Sequence, residues 1–187
     1  MKHIAIFASG TGSNAAVIMN HFANHPEVHV ALVVSSKAEA LVLEKARQAM
    51  VPSIVLEKKS FLHTKELLSV LESYAIDTII LAGFLWHIPS YLIQAFQNKI
   101  VNIHPSLLPK FGGKGMYGHH VHEAVLAAGE LISGITIHFV NEHYDEGEII
   151  FQANCPIDAG ETPDSLATKI HALEHAHFAP TIEKLML

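Results

Sequence analysis

The sequence predicts an α/β fold: a doubly wound, mostly parallel, Rossmann-like sheet flanked by helices, with an antiparallel strand region near the C-terminus. Three observations predict it. Short apolar runs alternate with segments of helical period through the first hundred residues. One of these runs, Thr78-Ile79-Ile80-Leu81, is continuous, as expected of a strand covered by helices on both faces. Beyond residue 130, two strand-like runs follow each other with no helix between them, which ends the alternation. Short connections in such a pattern imply right-handed crossovers.

In chain order, residues 3–8 form the first strand. Ser9-Gly10-Thr11-Gly12-Ser13-Asn14 then turns into a helix over 15–22, with Ser13 or Asn14 as its N-cap. A glycine turn between strand and helix leaves backbone N–H groups beside the positive end of a helix dipole, which makes an anion site. Ser13 and Asn14 would add side-chain donors to it. A second strand spans 28–36 and a second helix 39–50; Pro52 marks the exit, 54–56 is a short third strand, and 61–74 carries a helical period. The fourth strand covers 77–82, and Pro89 suits the first turn of a short helix ending before Asn98.

The fifth strand carries Val101-Asn102-Ile103-His104 and is stopped by Pro105, which cannot donate to a sheet ladder. Side chains alternate between faces, so Asn102 and His104 point one way and Val101 and Ile103 the other. An amide and an imidazole at the carboxyl end of a strand lie where open α/β sheets bind ligands. A four-glycine loop over 110–118 follows, then a helix over 119–128, strands over 134–141 and 148–156, and a last helix over 162–185. Glu161 and Asp164 sit where they complement that helix's dipole. Between the last two strands, Glu142-His143-Tyr144-Asp145-Glu146-Gly147 is acidic. Asp145 either starts a turn closed by Gly147 or, if the connection lies beside the fifth strand, pairs with His104 and favours its imidazolium form.

Composition narrows the function. The 187 residues suit one domain over 1–187; half are hydrophobic, and no apolar run reaches the roughly 18 residues that span a bilayer. The N-terminus enters a strand directly and lacks the apolar core of a signal peptide, and Cys155 alone cannot form a disulfide framework, so a cytoplasmic location is expected. The net charge is −6, and no Lys/Arg cluster interleaves with aromatics, so no nucleic-acid partner is expected. His119, His120 and His122 open a helix at a spacing that puts at most two on one face, and no metal site is expected there.

Two rival readings stay open on these residues. Gly10-Thr11-Gly12-Ser13-Asn14-Ala15 also fits the dinucleotide fingerprint of a dehydrogenase, but Val34-Ser35-Ser36-Lys37 stands where that reading expects an acidic residue. An NADP variant would have to use Ser36 and Lys37. A non-catalytic phosphosugar sensor would leave Asn102, His104 and Asp145 unexplained.

Four blocks resemble the phosphoribosylglycinamide formyltransferase family. They are Ser9-Gly10-Thr11-Gly12-Ser13-Asn14, Leu81-Ala82-Gly83-Phe84-Leu85, Asn102-Ile103-His104-Pro105-Ser106-Leu107-Leu108-Pro109-Lys110, and residues 134–147. The third discriminates best: similar methionyl-tRNA formyltransferases usually follow the Asn-x-His with glycine and carry an extra C-terminal domain. Formyltetrahydrofolate hydrolases are also similar, usually with an added N-terminal regulatory domain.

The resemblance implies a formyltransferase fold and transfer of a formyl group from the co-substrate 10-formyltetrahydrofolate to the amine of phosphoribosylglycinamide in purine synthesis. It implies small-molecule partners, no metal, and no membrane or nucleic-acid partner; a monomer or weak homodimer is expected. Asn102, His104 and Asp145 would be catalytic. Gly12, Ser13 and Asn14 would hold the substrate phosphate and Glu174 its ribose, while Leu85, Trp86, His87, Ile88 and Asn102 would line the folate pocket. Thr136 stands where many members have serine, keeping the hydroxyl. The loop at 112–118 is longer than in some members, and a basic residue that often touches the folate tail has no counterpart near Ser60 and Phe61.

Overall fold

The computed structural model describes residues 1–187, and its elements alternate through the first five strands. They are β1 (Lys2–Ala8), α1 (Ser13–Phe22), β2 (Val28–Ser35), α2 (Leu41–Gln48), β3 (Ser53–Val55), α3 (Lys58–His63) and α4 (Glu66–Ser73). After these come β4 (Thr78–Leu81), α5 (Ser90–Ala95), β5 (Ile100–His104), α6 (His119–Ala127), β6 (Ile132–Phe139), β7 (Ile149–Pro156) and α7 (Pro163–Met186). The strands form one sheet in the order β3-β2-β1-β4-β5-β6-β7. The first five are mutually parallel, and β6 and β7 are antiparallel, as the sequence predicts.

Two apolar layers sandwich this sheet. Ile4, Ile6, Val101, Ile103, Ile135 and Ile137 face α1 and α7, with Ile18, Phe22, Ile170 and Phe178 packed on them. Ala5, Phe7, Ile79, Leu81 and Ile100 face the other way, against Phe61 of α3, Leu71 of α4 and Leu92 of α5. Both faces of the parallel strands are therefore dry, which is why their sequences read as continuous apolar runs. No helix is long and apolar enough to cross a membrane.

Two local expectations are corrected. The helical period over 61–74 is two helices, α3 and α4, broken at an extended Thr64. Thr64 Oγ1 donates to the Ser60 carbonyl and also accepts, at 3.4 Å, from the backbone N–H of Glu66, while Ser60 Oγ donates to the Glu66 carboxylate. Such short polar side chains offer the backbone an alternative to the helical ladder. The first helix starts at Ser13, and its N-cap is Gly12 in the left-handed conformation, so neither Ser13 nor Asn14 caps it. The last helix, by contrast, opens with a capping box in which Thr162 and Ser165 exchange hydrogen bonds, and Pro163 occupies the first turn.

Candidate active site

The carboxyl ends of β1, β4 and β5 open into one cavity of about 880 Å³, at the point where strand order reverses from β1 to β4. At one end of it stands the β1–α1 turn. Gly12 has φ +67°, and a Cβ there would lie 2.5 Å from Val42 Cγ2 and 2.9 Å from Val42 Cα. Only glycine satisfies both constraints. No side chain caps α1, so its first backbone N–H groups have no side-chain acceptor, the condition under which a helix N-terminus can hold an anion.

Asn14, which the sequence offers as a phosphate donor, also makes a contact within the protein. Its Nδ2 donates to Glu174 Oε2 across 2.9 Å. Glu174, on α7, is 5% exposed, and the same oxygen lies 2.8 Å from Nδ1 of His171, one helical turn earlier. This hydrogen bond raises the His171 pKa, against burial.

At the centre, Asn102 and His104 share a face, as alternation predicts, and their register partners are His138 and Thr136 on β6. His138 Nδ1 sits 2.8 Å from the Phe139 carbonyl, which can only accept, so this nitrogen carries the proton. Nε2 is then an acceptor, and Asn102 Nδ2 donates to it across 3.1 Å. Burial pushes the His138 pKa down, outweighing the Phe139 carbonyl and Asp145, which both pull it up. A neutral imidazole thus fixes which end of the Asn102 amide is its nitrogen.

His104 is 3% exposed. Its Nε2 donates to the Phe111 carbonyl at 2.8 Å, and its Nδ1 lies 3.6 Å from Asp145 Oδ2. The β6–β7 connection does come back beside β5, so Asp145 faces His104 on one oxygen and His138 Nε2, also at 3.6 Å, on the other. Asp145 Oδ2 further accepts the Gly113 backbone N–H at 2.8 Å, tying the 110–118 loop to the centre. Behind His104, the Thr136 hydroxyl donates to the Ser106 carbonyl at 2.7 Å and accepts from the Leu108 N–H at 3.0 Å and from Gln152 Nε2 at 2.9 Å.

The other end of the cavity is the exit of β4. Leu85, Trp86, His87 and Ile88 all line it. Ile88 also belongs to the core beneath, Trp86 packs on Phe61 with ring centroids 5.6 Å apart, and His87 meets Tyr144 at 4.6 Å. Ser9 Oγ accepts the Leu85 N–H at 3.0 Å and the Ser36 hydroxyl at 2.6 Å, which binds the exits of β1, β2 and β4 together. Ser36 is thereby buried with its hydroxyl engaged, which weakens the NADP reading, although Lys37 lines the cavity.

Sequence reasoning missed His138 and His171, and named Thr136 only for its hydroxyl. The signal for His138 was present, since His138 and Thr136 alternate with Ile135, Ile137 and Phe139 along β6. Of the three clustered histidines, His122 is buried at the cavity wall, with burial lowering its pKa, while His119 and His120 are exposed beside Glu123.

Comparison with known proteins gives a consistent answer. The family model described as formyl transferase matches residues 2–182. A chloroplastic phosphoribosylglycinamide formyltransferase of Arabidopsis thaliana is 42% identical over 97% of this chain, and the chain spans 64% of that relative's length. A phosphoribosylglycinamide formyltransferase of Bacillus subtilis is 36% identical, with 100% of this chain and 95% of the relative covered. Among solved structures, glycinamide ribonucleotide transformylase 1 from Geobacillus kaustophilus superposes with a TM-score of 0.90 at 36% identity, covering 100% of both chains.

Proposed function

The chain belongs to the formyl transferase family, and on that premise we propose that it passes the formyl group of 10-formyltetrahydrofolate to the amine of N1-(5-phosphoribosyl)glycinamide. One observation carries the reading: a single cavity joins an anion cradle at Gly12, Ser13 and Asn14 to the Asn102–His104–Asp145 cluster and then to an apolar wall at Leu85, Trp86 and Ile88. Phosphate at one end and a flat heterocycle at the other bring amine and formyl group together at the polar centre.

Attack of the amine on the formyl carbon builds negative charge on the formyl oxygen, and the site must supply donors to it. Asn102 Nδ2 has a second hydrogen beyond the one given to His138, on a rigid strand end. His104 is the proton donor, held between Asp145 and the Phe111 carbonyl. Because both of its ring nitrogens face protein groups, His104 reaches the oxyanion by exchanging the Phe111 contact for the substrate oxygen. Collapse of the tetrahedral intermediate returns the borrowed proton to His104 and breaks the bond to N10 of the folate; the proton lost by the attacking amine is the one N10 gains, and the N-formyl product is left. Glu174 Oε1, which bears neither of the hydrogen bonds on Oε2, is the acceptor for the ribose hydroxyls. The reading treats residues 1–187 as one catalytic domain working on small molecules in the cytoplasm.

The test is a formyl-transfer assay with both substrates, on wild type, His104→Ala and Asp145→Asn. We expect transfer in wild type and a loss of at least about a hundredfold in kcat for each variant, with Tm retained. Near-wild-type turnover in either variant would sink the mechanism. Release of formate without an amine acceptor would mark a hydrolase, and stabilisation by NADP(H) in a thermal-shift screen would revive the oxidoreductase.

A further inference from the structure

The carboxylate at the phosphoribosyl end of the cavity is a buried charge set beside an anion cradle. Glu174 is 5% exposed and lies within reach of Asn14, the second residue of the helix whose N-terminus forms the cradle. A bare carboxylate there is costly to bury and would repel a phosphate dianion bound next to it. The residues around it show how both problems are met. Oε2 takes two donors, Asn14 Nδ2 at 2.9 Å and His171 Nδ1 at 2.8 Å, while Oε1 bears no hydrogen bond and is not sealed from the cavity. Asn14 is neutral, so the only countercharge in contact with Glu174 is His171.

We propose that His171 is a positioning residue for the phosphoribosyl substrate: as an imidazolium it clamps Glu174 Oε2, balances its charge, and turns Oε1 toward the ribose hydroxyls. This rests on the function proposed above. The surroundings favour the charged form. From its own helix His171 faces Glu174 and stacks on His175 at 6.4 Å; from α6 it faces His122, which burial keeps toward the neutral form; from α1 the neutral Asn14 shares Glu174 Oε2 with it. Its hydrogen bond to Glu174 raises its pKa, so the clamp is charged up to a higher pH than an ordinary histidine would be. By reciprocity, a bound phosphate dianion holds the proton on His171 as firmly as that proton holds the phosphate.

The side chain of His171 is 57% exposed, so its replacement leaves the core untouched. The experiment is calorimetric binding of ribose 5-phosphate between pH 6 and pH 9, for wild type, His171→Gln and His171→Ala. Glutamine keeps a donor near Glu174 but does not titrate. Wild type should bind roughly fivefold or more weakly once His171 loses its proton, whereas both variants should lack that step and the alanine variant should bind weakly throughout. The ligand's own phosphate ionisation affects all three proteins alike, so the difference between wild type and His171→Gln isolates His171. In the transfer assay the same variants should raise KM for phosphoribosylglycinamide and leave kcat and the folate KM unchanged. A wild-type profile superimposable on that of His171→Gln would overturn the proposal. The pH step in ribose 5-phosphate binding without any formyl transfer would uphold the clamp and overturn the function instead.

Discussion

Thr136→Val tests whether the strand exit behind His104 is held by a single hydroxyl. The substitution keeps the shape of a fully buried side chain and removes only its hydrogen-bonding atom. Three bonds end: the one donated to Ser106 O at 2.7 Å, and those accepted from Leu108 N at 3.0 Å and Gln152 Nε2 at 2.9 Å. Gln152 keeps its bond to the Leu108 carbonyl at 3.0 Å and loses little. The Ser106 carbonyl and the Leu108 N–H belong to buried residues and lose their partner on Thr136. At about 1–3 kcal/mol for each orphaned group, the loss is about 4 kcal/mol. For a chain of this size that corresponds to a fall in Tm of about 8–16 °C. Thr136→Ser keeps every bond and deletes one methyl, for about 1 kcal/mol. Urea unfolding of the three proteins measures both differences. A Val variant within about 1 kcal/mol of wild type, or a Ser variant as damaged as the Val one, would refute the reasoning.

Two further outcomes follow from the same geometry. Gly12→Ala should destabilise by about 2–4 kcal/mol, from left-handed strain and overlap with Val42, and abolish the thermal shift given by ribose 5-phosphate. Gly10→Ala, where a Cβ meets nothing within 4 Å, should leave Tm nearly unchanged; equal damage at both positions would remove the steric account. Burial depresses the pKa of both His122 and His138, so the unfolded chain binds more protons than the folded one below about pH 6.5. Stability from these two groups is present above that pH and is lost as pH falls toward their folded values. Tm should therefore drop between pH 7 and pH 5, with a shallower slope in His138→Gln and in His122→Phe; unchanged slopes in both variants would count against it.

Much of this molecule was legible from one strand of sequence. Pro105 ends β5 where expected, and the period of two puts Asn102 and His104 on a common face. The glycines at 10 and 12 announced a turn into a helix, and the antiparallel pair at the C-terminus followed from two runs with no helix between them. These are local rules: alternation, backbone sterics and missing donors act over a few residues. The break at Thr64 is local too, but it depends on side-chain bonds among Ser60, Thr64 and Glu66 that a helical period does not register.

What the sequence determined by itself is the order of elements and the polar residues offered at each strand exit. What the tertiary structure decided is which of those residues meet. Asp145 lies 41 positions from His104 along the chain; it sits in a turn with φ +57°, and it faces the histidine as well because the β6–β7 connection comes back beside β5. The tautomer of His138, and with it the orientation of Asn102, depends on the Phe139 carbonyl and a cross-strand register between β5 and β6. Asn14 gives an amide hydrogen to Glu174 because α1 packs on α7, 160 residues away along the chain. Hydrogen bonds of about 3 Å select partners by position in space, and sequence spacing carries that information only within a single helix or strand.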